Sequence, residues 1–335
     1  MAFVAAGALM ACASDDADND DDDGGSPSSS VTTGTGIGPG AGSGGSGTGA
    51  GTTTTGSGVG GGGTGGMAPD TVLLIPNSDN DSIGIYSPTD GTFIRDFLPP
   101  NVETDAHDFV VPIEAVQGPT GNIFVSDQIG DCVHEFEVDG TYVGRFVDEA
   151  DGLDNVRGIA FDGADLLVSV AGGFGNPGGG GVLRFDASAT LLETITANQD
   201  DDPYDVMITP GGELIISEIE ADIVHNFSAG PTPVPIYSAS FPQQVAVASN
   251  GNFLITAFSD GIVAEVTPTG TEVQTWDVTN PRGVYQLGNG NWLVTASGNS
   301  TDPAGIFEYD PAMGSIVNTV VAGDGHRFIS EVQIP

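Results

Sequence analysis

Charged and polar side chains recur at one position of a repeated sequence pattern, at the start of a strand in each repeat. The residues expected there are Glu114, Arg157, Tyr204 with Asp205, Gln243 with Gln244, Arg282 and Glu331. Arg157 and Arg282 are two of only six basic residues in a chain with 46 acidic ones. This placement indicates an anion-binding site, or internal ion pairs with carboxylates of the same set.

Two histidines in long connections are further candidates for chemistry. An aspartate follows His107, and an Asp-Gly pair precedes His326. An imidazole beside a carboxylate can act as a general acid, a general base or a metal ligand. A hydrogen-bonded surface histidine is the simpler alternative. His134 and His225 share one repeat position, which favours a packing role for both.

Carboxylates also collect in the long loops expected beside these residues, between Asp79 and Asp222. They could bind Ca²⁺ or another divalent cation, or they could form a solvated acidic rim. Both interpretations stay open. No cofactor is certain from the sequence, because GxSxG, HExxH and paired-cysteine motifs do not occur in the part expected to fold.

The elements that must position these residues are short strands. Five apolar runs each end in a hydroxyl residue, at spacings of 39 to 48 residues: Ser126, Ser169, Ser217, Thr256 and Thr295. Each run is preceded by one strand and followed by an alternating strand, a turn and a fourth strand. Residues 72–75 supply a sixth copy, with Pro76 in the hydroxyl position.

Six repeats of four strands without helical periodicity predict an all-β fold, a six-bladed β-propeller over residues 70–335. The first repeat lacks its first strand, and an orphan strand at 329–334 ends the sequence. We expect this C-terminal strand to pair beside 72–75 and close the first blade, which buries the edges of the array.

The sequence resembles the NHL-repeat propellers and, more loosely, the gluconolactonase-like and streptogramin-lyase-like propellers. The resemblance is carried by Arg157-Gly158-Ile159, Val168-Ser169 and residues 139–146, and it covers 70–335. It implies a fold more than an activity. NHL-like repeats often have Arg-Gly at this position for structural reasons.

The looser resemblance implies a second possible site. Gluconolactonase-like propellers hold one divalent ion in the channel through Glu, Asn and Asp ligands. Glu114, Asp205 and Glu331 are the candidates that this resemblance implies, although no clear Asn pair matches.

The N-terminal segment, residues 1–12, resembles a bacterial lipoprotein signal. Residues 2–11 are apolar and end in Leu-Met-Ala before Cys12, the expected lipidation site. The stretch is short and no basic residue precedes it, unlike most secretory signals. Residues 13–66 are rich in Asp, Gly, Ser and Thr, which predicts a disordered linker. We therefore expect a lipid anchor in a bacterial cell envelope, periplasmic or at the cell surface.

The composition restricts the partners. A net charge of −40 repels nucleic acid and anionic membrane surfaces.

Two cysteines, Cys12 and Cys132, are too few for a disulfide framework, and Cys132 is predicted to be a buried strand residue. No apolar run is long enough to span a bilayer. We expect a monomer.

Three functions remain open at this point. The first is a non-enzymatic surface module that binds a protein, a glycan or a small ligand on its long-loop face. The second is a metal-dependent hydrolase or lyase, and the third is a purely structural lipoprotein. Metal-ligand proximity among three of Glu114, Asp205, Glu331, His107 and His326 would favour the enzyme.

Overall fold

The computed structural model describes residues 70–100, 107–171, 180–195, 202–228 and 232–334. These residues form six four-stranded antiparallel sheets, with a single 3₁₀ turn at Glu149–Asp151. The predicted six-bladed β-propeller is therefore confirmed. The expected signal segment, 1–12, and linker, 13–66, lie outside the described residues. Within the described ranges, no helix has the length and apolar character needed to cross a membrane.

The six sheets are the blades, and the strands of each blade are ordered from the innermost to the outermost. Blade 1 contains β24 (Ser330–Ile334), β1 (Asp70–Asn77), β2 (Ser82–Tyr86) and β3 (Phe93–Leu98). Blade 2 contains β4 (Pro112–Gln117), β5 (Ile123–Asp127), β6 (Cys132–Phe136) and β7 (Tyr142–Val147). Blade 3 contains β8 (Val156–Asp162), β9 (Asp165–Val170), β10 (Gly181–Phe185) and β11 (Leu191–Ile195).

The other three blades follow in chain order, again from the innermost strand. Blade 4 contains β12 (Pro203–Ile208), β13 (Leu214–Glu218), β14 (Ile223–Asn226) and β15 (Val234–Ser238). Blade 5 contains β16 (Pro242–Val247), β17 (Phe253–Ala257), β18 (Ile262–Val266) and β19 (Glu272–Asp277). Blade 6 contains β20 (Pro281–Gln286), β21 (Trp292–Ala296), β22 (Gly305–Asp310) and β23 (Ser315–Ala322).

The C-terminal strand closes the ring as predicted. β24 pairs with β1 in antiparallel register, with Val72 opposite Val332 and Leu74 opposite Ser330. Leu73 of the same blade packs against Leu293 of blade 6. Blade 1 is therefore complete only when strands from both ends of the described chain meet.

Apolar contacts between successive blades form the core. Ile85 of blade 1 and Phe136 of blade 2 belong to one buried cluster, for example. Trp276 of blade 5 and Trp292 of blade 6 meet edge to face, with ring centroids 4.1 Å apart. The second strands read as continuous apolar runs because both faces of each blade are covered in this way.

The hydroxyl residues that end the second strands join one blade to the next. Thr256 Oγ1 lies 3.0 Å from the carbonyl oxygen of Arg282 in the following blade. Thr295 Oγ1 lies 2.8 Å from that of Arg327, and it also accepts the amide hydrogen of Gly283 at 2.7 Å. Ser169 and Ser217 also bond to backbone groups of two blades, whereas the bonds of Ser126 are to Glu114 in its own blade.

We predict that Thr295→Val will destabilise the protein, because the isosteric change leaves the Gly283 amide and the Arg327 carbonyl buried without this partner. Such a loss costs about 1–3 kcal/mol. Thermal unfolding should show a melting temperature several degrees lower. Thr275→Val, at an exposed position of β19, is the matched control. Equal melting temperatures for the two variants would show that the Thr295 hydroxyl does not stabilise the contact between blades 6 and 1.

Candidate functional site

Residues at or just before the start of the innermost strands gather around one end of the propeller axis. Arg157, Tyr204, Gln243 and Arg282 each occupy the second position of their strand. We call this set the mouth ring; its full membership is Ile113, Arg157, Tyr204, Gln243, Arg282 and Arg327. Three of the six basic residues of the chain belong to it.

Arg327 takes the place that the repeat pattern assigned to Glu331. Its carbonyl accepts the Thr295 hydroxyl as the Arg282 carbonyl accepts that of Thr256, so Arg327 is the equivalent residue of blade 1. Glu331 lies four residues further along the chain, is exposed, and accepts a hydrogen bond from the Tyr285 hydroxyl. The expected register of Glu331 was therefore wrong.

Arg157 is the most enclosed member of the mouth ring. Its side chain is fully buried, and its guanidinium carbon lies 4.6 Å from the ring centroid of Tyr204. Its Nη1 is 3.6 Å from Asp202 Oδ2, a carboxylate outside the set expected from the repeat. Arg157 therefore has a positioning role beneath Tyr204.

Arg282 and Arg327 are also buried, with exposed fractions of 6% and 7%. Arg282 donates from Nε to Ser297 Oγ at 3.1 Å and stacks 5.1 Å from the centroid of Phe258. Arg327 donates from Nε to Ser78 Oγ at 2.8 Å. Burial raises the pKa of nearby Asp324, and a backbone hydrogen bond and the charges of both arginines partly oppose that rise.

Gln243 supplies an acceptor to the same ring. Its side chain is 1% exposed, and its amide oxygen has no hydrogen-bond partner among the described residues. A buried acceptor left without a partner costs about 1–3 kcal/mol. The oxygen is therefore well suited to receive an N–H or O–H group of a ligand.

Aromatic side chains surround the arginines. Tyr204 contacts Phe328 and Phe241, with ring centroids 5.8 and 5.7 Å apart, and Phe241 contacts Phe258 at 5.6 Å. Phe241 and Phe258 are only partly buried. These two rings, which we call the aromatic shelf, offer an apolar face beside the guanidinium groups.

A second polar layer lies one residue deeper along the axis. Glu114 Oε2 accepts the amide hydrogen of Ile159 at 2.8 Å, and Asp205 Oδ2 accepts that of Val245 at 2.7 Å. Gln244 Oε1 accepts from Val284 in the same way, at 2.9 Å. Each of these bonds joins a side chain of one blade to the backbone of the next.

Glycine at two positions of this layer makes room for those long side chains. A Cβ atom at Gly158 would lie 2.7 Å from Asp205 Oδ1, and one at Gly283 would lie 3.0 Å from Gln244 Oε1. In each Arg-Gly pair of the sequence, the arginine belongs to the mouth ring and the glycine leaves space for a side chain of the neighbouring blade.

Glu114 and Asp205 form a buried acidic pair. Burial raises the pKa of Glu114 well above its usual value, and the charge of Asp205 raises it further. Burial raises the pKa of Asp205 to about 7, although backbone hydrogen bonds oppose the rise. The pair therefore retains a proton in weakly acidic solution.

This pair predicts a pH-dependent effect of Asp205→Asn. The folded-state pKa of Asp205 lies above 3.8, so the native state binds more protons than the unfolded state up to about pH 7. Stability contributed by the pair is lost as pH rises through that window. The neutral amide of the variant keeps an acceptor for the Val245 amide hydrogen. The difference in melting temperature between the Asp205→Asn variant and the unmodified chain should therefore shift in favour of the variant by several degrees from pH 5 to pH 8.

Asp139→Asn is the control for that measurement. Asp139 is fully exposed, and hydrogen bonds from Thr141 lower its pKa. Its substitution should give no gain in melting temperature with rising pH. A pH-independent difference for Asp205→Asn would show that the buried pair does not hold the extra proton.

The other predicted site residues do not join the mouth ring. His326 is buried, and Asn77 Nδ2 lies 3.2 Å from its Nδ1. It lines a groove of about 550 Å³ between blades 1 and 6, together with Asp79, Asp96 and Asp324. His107 instead packs against the rings of Phe109, Phe136 and Tyr142.

Several carboxylates of the long-loop face support the backbone. Asp131 Oδ1 accepts the amide hydrogen of Asn155 at 2.6 Å, and Asp222 Oδ1 accepts that of Phe241 at 2.9 Å. Both aspartates have positive φ at tight turns before a third strand. These acids fix the approach of the chain to the next blade; cation binding on this face stays a prediction.

Metal-ligand proximity does not favour the expected set. Across the described ranges, one group of three His, Cys, Asp or Glu side chains has its ligand atoms within 4.8 Å of one another. Its members are Asp127, Cys132 and His134, and none belongs to the set proposed from the sequence.

Comparisons with known proteins agree on the architecture. No protein-family model and no curated protein sequence matches the chain. A protein of unknown function from Bacteroides caccae has a TM-score of 0.55 at 13% identity, covering 79% of this chain and 99% of its own. The shared feature is the propeller fold.

Two further solved structures are similar in the same sense. A gluconolactonase-like protein has a TM-score of 0.49 at 14% identity, covering 69% of this chain and 87% of its own. Virginiamycin B lyase from Staphylococcus aureus has a TM-score of 0.47 at 12% identity, covering 79% and 75%. Likeness at these identities describes the fold alone.

Proposed function

We propose that the chain is a non-catalytic binding module whose mouth ring and aromatic shelf recognise a ligand that bears a carboxylate. An acidic glycan and a peptide terminus both carry this group. The observation that supports the proposal is the gathering of Arg157, Arg282 and Arg327 at one end of the axis in a chain of net charge −40.

The chemistry of the ring suits such a ligand. Guanidinium groups bind carboxylates through paired, charge-assisted hydrogen bonds, and partial burial strengthens the attraction. The aromatic shelf can cover an apolar sugar face or side chain. Gln243 can receive a hydroxyl or amide hydrogen of the same ligand.

A hydrolase or lyase has less support. Glu114 and Asp205 accept backbone amide hydrogens of the next blades, and the exposed Glu331 accepts a hydrogen bond from Tyr285. Among the described residues, these three carboxylates do not form a group whose ligand atoms lie close enough together to hold one ion. A binding role therefore needs less rearrangement of these side chains than a metal-dependent reaction would.

We predict that Arg282→Gln will weaken binding of the carboxylate ligand at least about tenfold, because a charge-assisted hydrogen bond contributes about 1.5–3 kcal/mol. A thermal-shift screen with uronic-acid oligosaccharides and with short peptides bearing a free C-terminus would find the ligand class. Calorimetric titration would then give the affinities of the variants.

Arg95→Gln is the matched control, since Arg95 is an exposed residue of β3. It should leave the affinity unchanged. Equal losses for Arg95→Gln and Arg282→Gln would point to a general charge effect and refute a site at the mouth. Failure of both probe classes to shift the melting temperature would also contradict the proposal.

We further propose that the module is held at a bacterial envelope by lipid on Cys12, as the sequence pattern indicates. Cys12→Ser should abolish incorporation of a labelled fatty acid and move the protein from the membrane to the soluble fraction. Incorporation that persists in this variant would place the modification elsewhere or refute it.

A further inference from the structure

A cysteine, a histidine and an aspartate meet inside blade 2, away from the mouth ring. Asp127 ends β5, and Cys132 and His134 lie on one face of β6 because they are two residues apart. Residues 127 and 132 are direct partners across the two strands. All three residues are 0% exposed.

Their ligand atoms have the spacing of a metal site. His134 Nε2 lies 3.2 Å from Cys132 Sγ and 3.6 Å from Asp127 Oδ2. In a tetrahedral zinc site, bond lengths of about 2.0–2.3 Å put neighbouring ligand atoms about 3.3–3.6 Å apart. One ion therefore fits between the three atoms with only small shifts.

Surrounding groups orient the ligands for this purpose. Asp127 accepts the amide hydrogens of Val110 and Val111, at 2.9 and 2.8 Å, which fixes the plane of its carboxylate. His134 Nδ1 lies 3.2 Å from the Tyr142 hydroxyl, so that a proton on Nδ1 leaves Nε2 available as a ligand. Outer hydrogen bonds of this kind are typical of metal-binding histidines.

Blade 4 provides an internal comparison. Glu218, Ile223 and His225 occupy the positions of Asp127, Cys132 and His134. There the histidine contacts the acid directly, with 3.0 Å between His225 Nδ1 and Glu218 Oε2. An acid–histidine pair therefore needs no thiol in this fold. Blade 2 differs because a thiol and a carboxylate, through Sγ and Oδ2, both approach one histidine nitrogen.

We propose that Asp127, Cys132 and His134 bind one zinc-type divalent cation within blade 2, independently of any ligand at the mouth ring. Two anionic ligands and a neutral imidazole balance the charge of such an ion. The Cys132 thiol proton leaves to solvent as the sulfur–metal bond forms. Burial raises the pKa of this thiol to about 12, so proton loss opposes binding and the metal must offset that cost.

The test uses the full chain with Cys12→Ser, so that Cys132 is its single thiol. The protein is unfolded with a chelator, refolded with and without Co²⁺, and examined by absorption and elemental analysis. We expect one Co²⁺ per chain with a thiolate-to-cobalt charge-transfer band, and a melting temperature a few degrees higher with metal. The band separates this site from weak binding by the Asp-rich segment, which has no sulfur.

Variants decide the assignment. Cys132→Ala should abolish the band, whereas Ile223→Ala, the matched change in blade 4, should leave it intact. Should Cys132→Ala fail to fold, His134→Gln should still weaken Co²⁺ binding at least about tenfold. A properly refolded Cys12→Ser chain without the charge-transfer band, or a band that persists in Cys132→Ala, would overturn the proposal.

Discussion

The pairing of β24 with β1 holds the first and last described segments of the chain in one sheet. Every blade covers its apolar faces only against its neighbours, so opening this pair would expose the faces of blades 6 and 2 together. The same pairing brings Arg327, just before β24, into the mouth ring. Ring closure and assembly of the candidate site therefore depend on one strand.

In the layer below the mouth ring, some blades contribute a long side chain and others a glycine. Glu114, Asp205 and Gln244 reach across to the next blade, and Gly158 and Gly283 leave the space into which they extend. This arrangement places carboxylates below the arginines. The mouth ring thus combines buried positive charge with a protonatable acidic pair beneath it.

The repeated strands, their order and the closing strand could be predicted because short apolar runs and hydroxyl residues recur at regular spacing. The register of Glu331 could not, because Phe328 stands in blade 1 where other blades have Gly or a polar residue, and this hides the match of Arg327. The proximity of Cys132 and His134 follows from strand periodicity. Their contact with Asp127 depends on the cross-strand register, which the sequence does not specify.

The direction of β1 fixes which end of blade 1 lies beside the mouth ring. Asp70 lies opposite Ile334, whereas Asn77, at the other end of the strand, bridges to His326 beside the mouth ring. Asp70 therefore lies at the end of blade 1 that is remote from the arginines. The ligand that we propose would therefore approach the arginine-bearing face from the end of the blade opposite Asp70.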